Sequence, residues 1–216
     1  MALQITQDDE ADRLVSKDGL ALLVAMVLDQ QIPLERAFHS PLELQQRLGR
    51  RLDAADLAAM DPGALAQVFA KPPALHRFPA SMARRVQELC QVLVDDYQGE
   101  ASRLWQSAST GAELLRRVRA LPGFGDQKAR IFVALLAKRF GVTPEGWAEA
   151  ATPFGAPGTF LSVADIDSPE SLARVRAYKQ QRKAQAKVNP PPGAVAAAPV
   201  SGRRTRSGRD PASRRA

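Results

Sequence analysis

Cysteine and histidine are scarce in this chain, whose 216 residues include one cysteine and two histidines. A single cysteine, Cys90, cannot form an intrachain disulfide and cannot supply the four thiolates of a cysteine-ligated iron–sulfur cluster. It lies in an apolar stripe at helical spacing over residues 86–93, which predicts a buried, inert thiol. His39 and His76 lack partners at metal-ligand spacing, so they predict surface or capping groups and no metal site.

Aromatic residues make up 6% of the chain, and long apolar runs are missing. The longest run, Leu20–Leu28, is far shorter than the roughly 20 residues that a membrane-spanning helix needs. The acidic stretch at residues 8–12 is unlike a signal peptide. Alanine and leucine abound instead, with a 3.6-residue period and little strand-like alternation. The composition predicts an all-α cytoplasmic protein that does not associate with a membrane.

Positive charge is concentrated at the C-terminal end of the chain. Residues 188–216 carry six basic residues against one acidic residue, and residues 169–187 do the same, so that each segment contributes +5. Because the whole chain carries +7, residues 1–168 carry −3. A basic appendage of this kind attracts DNA or RNA without reading its sequence. Improved solubility is the alternative interpretation.

Helix caps and breakers divide the chain into a helical domain over residues 1–187 and a basic tail over residues 188–216. The tail is rich in Ala, Pro, Gly, Ser and Arg, a composition that predicts disorder. Caps and prolines predict where the helices begin. These positions are Asp18, Ser40-Pro41, Asp53, Asp61-Pro62, Ser81, Thr110, Asp126, Thr143-Pro144 and Ser168.

The most informative stretch is Leu121-Pro-Gly-Phe-Gly125, which separates two helical patterns over residues 112–120 and 126–140. Proline and two glycines at this spacing predict a tight turn, since Gly123 and Gly125 can adopt φ values that other residues avoid. The turn leaves the first N–H groups of the second helix unpaired, and with the helix dipole they form an anion site. Such a hairpin can hold one backbone phosphate without reading sequence. An ordinary tight helical hairpin is the alternative.

The hairpin, together with Met26-Val-Leu-Asp-Gln-Gln-Ile32 about ninety residues upstream, resembles the helix-hairpin-helix base-excision DNA glycosylases of the HhH-GPD superfamily. The resemblance covers about residues 16–150. It is closest to the alkylated-base branch and to an actinobacterial group of these proteins.

The resemblance implies a two-lobed, all-α helical bundle with a helix-hairpin-helix motif over residues 112–140. Some branches of the family carry an iron–sulfur cluster, but the single cysteine predicts that this chain has none. The resemblance also implies base excision repair by a DNA glycosylase, which flips a damaged base out of double-stranded DNA into a pocket between the lobes. The implied protein is a monomer of the cytoplasm, associated with the nucleoid. No cofactor is implied, and a monovalent cation at the hairpin is left open.

The resemblance also assigns site residues. Those assigned to DNA binding are Leu121, Pro122, Gly123, Phe124, Gly125, Gln127 and Lys128, and those assigned to the base pocket are Asp29, Gln30 and Gln31. Some relatives carry a nucleophilic lysine two residues after the second hairpin glycine, where this chain has Gln127. Lys128 is one position further, which turns its side chain by about 100° around the helix. We therefore expect Lys128 to face phosphate rather than the pocket, and a monofunctional glycosylase without lyase activity.

The family's catalytic aspartate has no direct counterpart in this chain. The resemblance places a carboxylate about eighteen residues past the nucleophile position, where it stabilises positive charge on the sugar. Glu145 stands there, Glu149 is next nearest, and no aspartate follows Asp126 until Asp165. Glu145 is equally explained as a favourable charge at a helix start, and Asp29 is a further carboxylate near the implied pocket.

Two functions stay open at this point. The complete framework of hairpin and Gln-Gln helix favours an enzyme that excises a damaged base. The missing aspartate favours a catalytically silent protein of the same fold that binds DNA or a lesion.

Overall fold

The computed structural model describes residues 3–188, and within them it contains α-helices and one 3₁₀ helix but no β-strand. The first six α-helices are α1 Asp9–Lys17, α2 Gly19–Leu28, α3 Leu34–Leu48, α4 Ala54–Ala59, α5 Pro62–Ala70 and α6 Pro79–Tyr97. The remaining helices are α7 Arg103–Gln106, α8 Gly111–Ala120, α9 Asp126–Phe140, α10 Trp147–Ala150, the 3₁₀ helix Val163–Asp165 and α11 Pro169–Val188. The predicted all-α class is confirmed. The predicted disordered tail lies outside the described residues, except for Val188, which ends α11.

Helix α2 runs through the centre of the first lobe. Every residue of Leu20–Leu28 is buried, which is the pattern of a helix surrounded by other elements on all sides. Its neighbours are α1, α3 and α6, while α4 and α5 pack on α6. The Asp18 carboxylate caps α2 by accepting hydrogen bonds from the N–H groups of Leu20 at 2.9 Å and Ala21 at 3.0 Å. Burial on all sides and the cap at its N-terminus together fix the position of α2 in the lobe.

The second lobe is built on α9. Helices α8 and α10 and the 3₁₀ helix pack against α9, and α11 contacts the 3₁₀ helix. An aromatic cluster links this lobe to α2: Phe132 of α9 lies 5.6 Å from Phe124 and 6.0 Å from Trp105, measured between ring centroids. Trp105 in turn lies so close to Gly19 that a Cβ there would approach it to 2.8 Å. The two lobes therefore share one continuous hydrophobic core, as a two-lobed bundle requires.

Buried packing overrides two of the predicted helix starts. The prediction of a start at Ser40-Pro41 is wrong, since α3 already begins at Leu34 and continues through Pro41. Its apolar face, including Phe38, is buried. Ser40 Oγ lies 2.7 Å from the Arg36 carbonyl oxygen and 3.1 Å from that of Leu75, and its single proton is shared between these acceptors. The serine therefore stabilises the interior of the helix and does not cap its start.

The prediction of a helix start at Thr143-Pro144 is also wrong. Helix α10 begins only at Trp147 and is one turn long. The Gly111 N–H donates to the Glu145 carbonyl oxygen at 2.7 Å, which holds the preceding residues against the start of α8. This tertiary hydrogen bond delays the helix beyond its local start signal.

The thiol of Cys90 is fully buried among the apolar residues of α6, which confirms the prediction. Burial raises the pKa of this thiol to about 12, and the negative charge of Asp53 acts in the same direction. Cys90 is therefore a small core residue and not a reactive one.

Candidate DNA interface and base pocket

The turn between α8 and α9 is anchored by two apolar side chains. Leu121 and Phe124 are buried, and the Phe124 N–H donates to the Leu121 carbonyl oxygen at 3.1 Å. Gly123 has a φ of +86°, and a Cβ there would lie 2.7 Å from Cδ of Arg85. The predicted need for glycine at position 123 is confirmed, for both conformational and steric reasons.

The second hairpin glycine differs from its prediction. Gly125 has an ordinary φ of −76°, and a Cβ there would meet no atom within 4 Å. The expectation that Gly125 needs an unusual φ is therefore wrong. Gly125 instead leaves open space above the first turn of α9, where a bulky residue would stand in the way of a ligand.

The N-terminus of α9 presents unpaired donors. Gly125 is the N-cap and has no capping side chain, and the backbone N–H groups of residues 126–128 meet no acceptor among the described residues. The Asp126 carboxylate at this end accepts from Arg130 at 2.9 Å and lies 3.4 Å from Arg119. The hydrogen bond from Arg130 lowers the pKa of Asp126. The carboxylate is therefore ionised, and its negative charge is balanced by the two arginines. The geometry suits one phosphate group.

Lys128 points away from this open turn. Its ammonium donates to the Met26 carbonyl oxygen at 2.6 Å and the Val27 carbonyl oxygen at 3.3 Å. Desolvation lowers the pKa of Lys128 to about 8, although the nearby charge of Asp29 opposes the shift. The expectation that Lys128 faces phosphate rather than the pocket is wrong, because its charge is attracted by the C-terminal carbonyl groups of α2, which lack partners within their own helix.

The Gln-Gln segment forms the turn that follows α2, and its two glutamines differ. Gln30 is engaged on both sides of its amide: Nε2 donates to the Val27 carbonyl oxygen at 2.7 Å, and Oε1 accepts from Arg85 at 3.3 Å. Gln31 is exposed at a positive φ of 57°, and among the described residues its side chain has no hydrogen-bond partner. Gln30 therefore holds the turn, and Gln31 presents a donor and an acceptor to a ligand.

His76 is a positioning residue that the sequence prediction missed. It is 3% exposed, whereas a surface or capping group was expected. Its Nδ1 accepts from the Phe78 N–H at 3.0 Å, so Nε2 carries the proton and donates to the Gln30 carbonyl oxygen at 2.8 Å. His76 thus fixes the backbone of the Gln-Gln turn from behind.

The end of α2, the start of α9 and one face of α11 enclose a cleft of about 830 Å³. The first lobe lines it with Met26, Asp29, Gln30, Gln31, Ile32, Pro33, Leu34 and Glu35, the hairpin with Gly125, Asp126, Gln127, Lys128 and Ile131, and α11 with Val175, Arg176, Lys179, Gln180 and Lys183. The structure therefore brings together two motifs that are far apart in the sequence. The wall formed by α11 was not predicted, although the basic charge of residues 169–187 was the signal that could have located it.

The two glutamates proposed as catalytic groups lie elsewhere. Glu145 and Glu149 are exposed, and neither lines the cleft. Glu145 pairs through its backbone with the start of α8, and Glu149 belongs to α10, which packs on α8 and α9. The structure does not bring either glutamate to the base pocket.

Within residues 3–188, none of the helices has both the length and the hydropathy to cross a bilayer. The same part of the chain holds no group of three or more His, Cys, Asp or Glu residues arranged to bind a metal ion.

Comparison with known proteins identifies the family. The model of the HhH-GPD superfamily base excision DNA repair protein matches residues 24–190. The match begins within α2 and ends just beyond α11, so it includes every element that lines the cleft. Comparisons with curated proteins and with solved structures give no match to this chain. The chain belongs to the HhH-GPD superfamily of base excision DNA repair proteins, and DNA is its partner.

Proposed function

We propose that this protein is a monofunctional DNA glycosylase, which flips a damaged base out of duplex DNA and hydrolyses its N-glycosidic bond. One observation carries the proposal: the N-terminus of α9 and the turn after α2 face the same cleft. The first offers unpaired N–H groups to a backbone phosphate, and the second offers Gln31 and Asp29 to a nucleotide beside that phosphate. The cleft volume of about 830 Å³ is ample for one flipped nucleotide.

The absence of lyase activity is proposed from the hairpin helix. Gln127 stands at the position where lyase relatives carry their nucleophile, and an amide does not form a Schiff base. The neighbouring amine of Lys128 is held by the carbonyl oxygens of Met26 and Val27. Two hydrogen bonds to helix-terminal carbonyls leave this nitrogen poorly placed to attack a sugar carbon.

Substrate and assembly are proposed on the resemblance alone. We propose from the hairpin and the Gln-Gln turn that the protein belongs to the alkylated-base branch, so alkylated purines are the first substrates to test. We propose a monomer that acts on chromosomal DNA in the nucleoid without a cofactor, with a monovalent cation at the hairpin as the one alternative. Gel filtration tests whether the protein is a monomer. A dependence of DNA affinity on sodium or potassium at constant ionic strength tests for the cation at the hairpin.

Excision from defined duplexes tests the function. The duplexes carry alkylated purines, uracil, hypoxanthine, 8-oxoguanine or a mismatch, and each is incubated with excess protein. We expect free base from at least one substrate, strand breakage only after alkali, and no adduct on borohydride treatment. An adduct that disappears in Lys128→Ala would refute the monofunctional part of the proposal.

A catalytically silent, lesion-binding protein is the second candidate. It is favoured by the positions of Glu145 and Glu149, which leave the cleft without a carboxylate from the segment that follows the hairpin. This candidate predicts selective binding of one lesion without base release, even at long incubation times. The same duplex panel, read by fluorescence anisotropy and by base release, separates the two functions.

A further inference from the structure

Three carboxylates line the cleft, and two of them are already paired. Glu35 accepts from Nε of Arg176 at 2.7 Å and also contacts Nη2 of that arginine. Asp126 is held by Arg119 and Arg130. Asp29 differs: among the described residues its side chain makes no hydrogen bond, and its ion-pair contact is Lys179, with Nζ 4.0 Å from Oδ2. Asp29 is the cleft carboxylate that is available to a ligand.

Asp29 is also held firmly by its backbone. It is the C-cap of α2, and its N–H donates to the Ala25 carbonyl oxygen at 3.0 Å. Its side chain is 21% exposed, so it is largely withdrawn from solvent but still faces the cleft. The next residue is fixed by His76 and Arg85. A carboxylate with a rigid backbone and a partly dry environment is suited to stabilising charge.

We propose that Asp29, supplied by the turn after α2, is the carboxylate that faces C1′ of the flipped nucleotide. This inference rests on the proposed glycosylase function. As the C1′–N bond breaks, its electron pair leaves with the base, and positive charge develops on the sugar beside Asp29. A water oxygen then bonds to C1′, and one water proton passes to the Asp29 carboxylate. That proton reaches the departing base nitrogen through solvent, so the reaction adds one water overall.

In this proposal, DNA binding draws Lys179 away from Asp29. The lysine side chain is 41% exposed on α11, and its distance to Asp29 is longer than a hydrogen bond. A phosphate of the bound duplex competes for this ammonium, which leaves the negative charge of Asp29 to the sugar. Lys128 stays with the carbonyl groups of α2.

A binding experiment tests the inference without knowledge of the lesion. Two duplexes are compared, one with a cationic pyrrolidine in place of the target sugar and one with neutral tetrahydrofuran. We expect the wild-type protein to bind the cationic duplex at least about tenfold more tightly, because an enzyme favours its transition-state charge. Asp29→Asn should lose this preference and keep its affinity for the neutral duplex. Glu145→Gln removes an exposed carboxylate outside the cleft, so it is the matched control and should keep the preference.

A second variant and base release complete the design. Asp29→Glu keeps the charge but displaces it, so part of the preference should remain, which separates loss of charge from loss of fold. On any duplex from which the wild type releases a base, the rate of release should be at least about a hundredfold lower in Asp29→Asn.

The outcomes separate this inference from the proposed function. Full activity and full cation preference in Asp29→Asn would overturn the role of Asp29 and leave the glycosylase intact. No cation preference in the wild type would also overturn it. A preference that depends on Asp29, without base release from any lesion, would support the placement of this carboxylate and refute the glycosylase function.

Discussion

The two hairpin glycines are two residues apart, yet they serve different purposes. The fold requires a glycine at position 123, because φ is +86° there and a Cβ would clash with the side chain of Arg85. Gly125 has an ordinary φ and open space around it, so the fold does not need a glycine there. We expect its small size to matter only when a phosphate approaches α9.

This difference gives a prediction for two alanine variants. Gly123→Ala should lower the free energy of unfolding by about 1–3 kcal/mol, from left-handed backbone strain together with contact with Arg85. Gly125→Ala should unfold like the wild type but bind an undamaged duplex more weakly. Denaturant titration and fluorescence anisotropy provide the two measurements. Equal loss of stability in both variants would show that Gly125 also has a conformational role.

The lowered pKa of Lys128 predicts that the free energy of unfolding depends on pH. This pKa is about 8 in the folded protein and about 10.4 in an unfolded chain. Between these values the unfolded chain binds the proton and the folded protein does not, so the stability due to this group rises with pH. Below pH 8 both states are protonated and the effect is flat. Lys128→Met should lack the rise.

The measurement is the difference in unfolding free energy between the wild type and Lys128→Met at several pH values. We expect it to shift in favour of the wild type by about 2.5 kcal/mol from pH 8 to pH 10.5. Other titrating groups are common to both proteins and cancel. A difference that does not change with pH would mean that the ammonium is well solvated.

At the scale of elements, α11 is the least expected part of the site. Its inner side is held by buried Leu172 and Val175 and by the Arg176–Glu35 ion pair. Residues 180–185 are exposed, and Lys183 of this segment lines the cleft across from the hairpin. A helix with a polar surface over its outer turns gains little from packing, which suggests that it contacts DNA.

Removing charge from α11 tests its role in binding. In a triple variant, Lys179, Arg182 and Lys183 are all replaced by glutamine. We expect this variant to bind an undamaged duplex about tenfold more weakly at physiological salt. The plot of log affinity against log salt concentration should become less steep by about 2–3, since each phosphate contact contributes about 0.9 to the magnitude of the slope. The melting temperature should not change.

The control for this experiment is a second triple glutamine variant. Arg51, Lys71 and Arg103 are exposed and do not line the cleft, so removing them lowers the net charge equally. If both variants weaken binding to the same extent, the effect reflects total charge, and α11 has no special position.

At the scale of the whole molecule, positive charge is concentrated in the last part of the sequence, in α11 and in the residues that follow it. Residues 1–168 carry −3, while the C-terminal segments carry the positive charge. Residues 1–168 repel DNA at long range, so we expect α11 and the basic residues after it to govern the first encounter. We expect the hairpin and the turn after α2 to add directed contacts once the duplex has arrived.

A truncated protein tests this division. Without residues 189–216, we expect an unchanged melting temperature and weaker affinity for an undamaged duplex, because six arginines are removed. Base release from a bound, lesion-containing duplex at saturating protein should stay the same. A clear drop in melting temperature would show that this segment packs on the domain.

Several features of this protein follow from the sequence alone, because local interactions decide them. The Asp18 cap begins α2 where its spacing predicts, and Ser168-Pro169 begins α11. The turn Leu121–Gly125 forms as predicted, since proline, glycine and two apolar anchors act within a few residues of each other. Composition was enough for the all-α class, and the two motifs were enough for the family.

Other features depend on residues that meet only in the folded molecule. The direction of Lys128 is set by carbonyl groups of α2, about a hundred residues away. The inward turn of Gln30 depends on Arg85, and the wall formed by α11 depends on Glu35. Counting along the chain pointed to Glu145, whereas the tertiary structure leaves Asp29 as the available carboxylate in the cleft. Spacing in sequence determines distance within one helix, but between helices the distance is set by packing of the core.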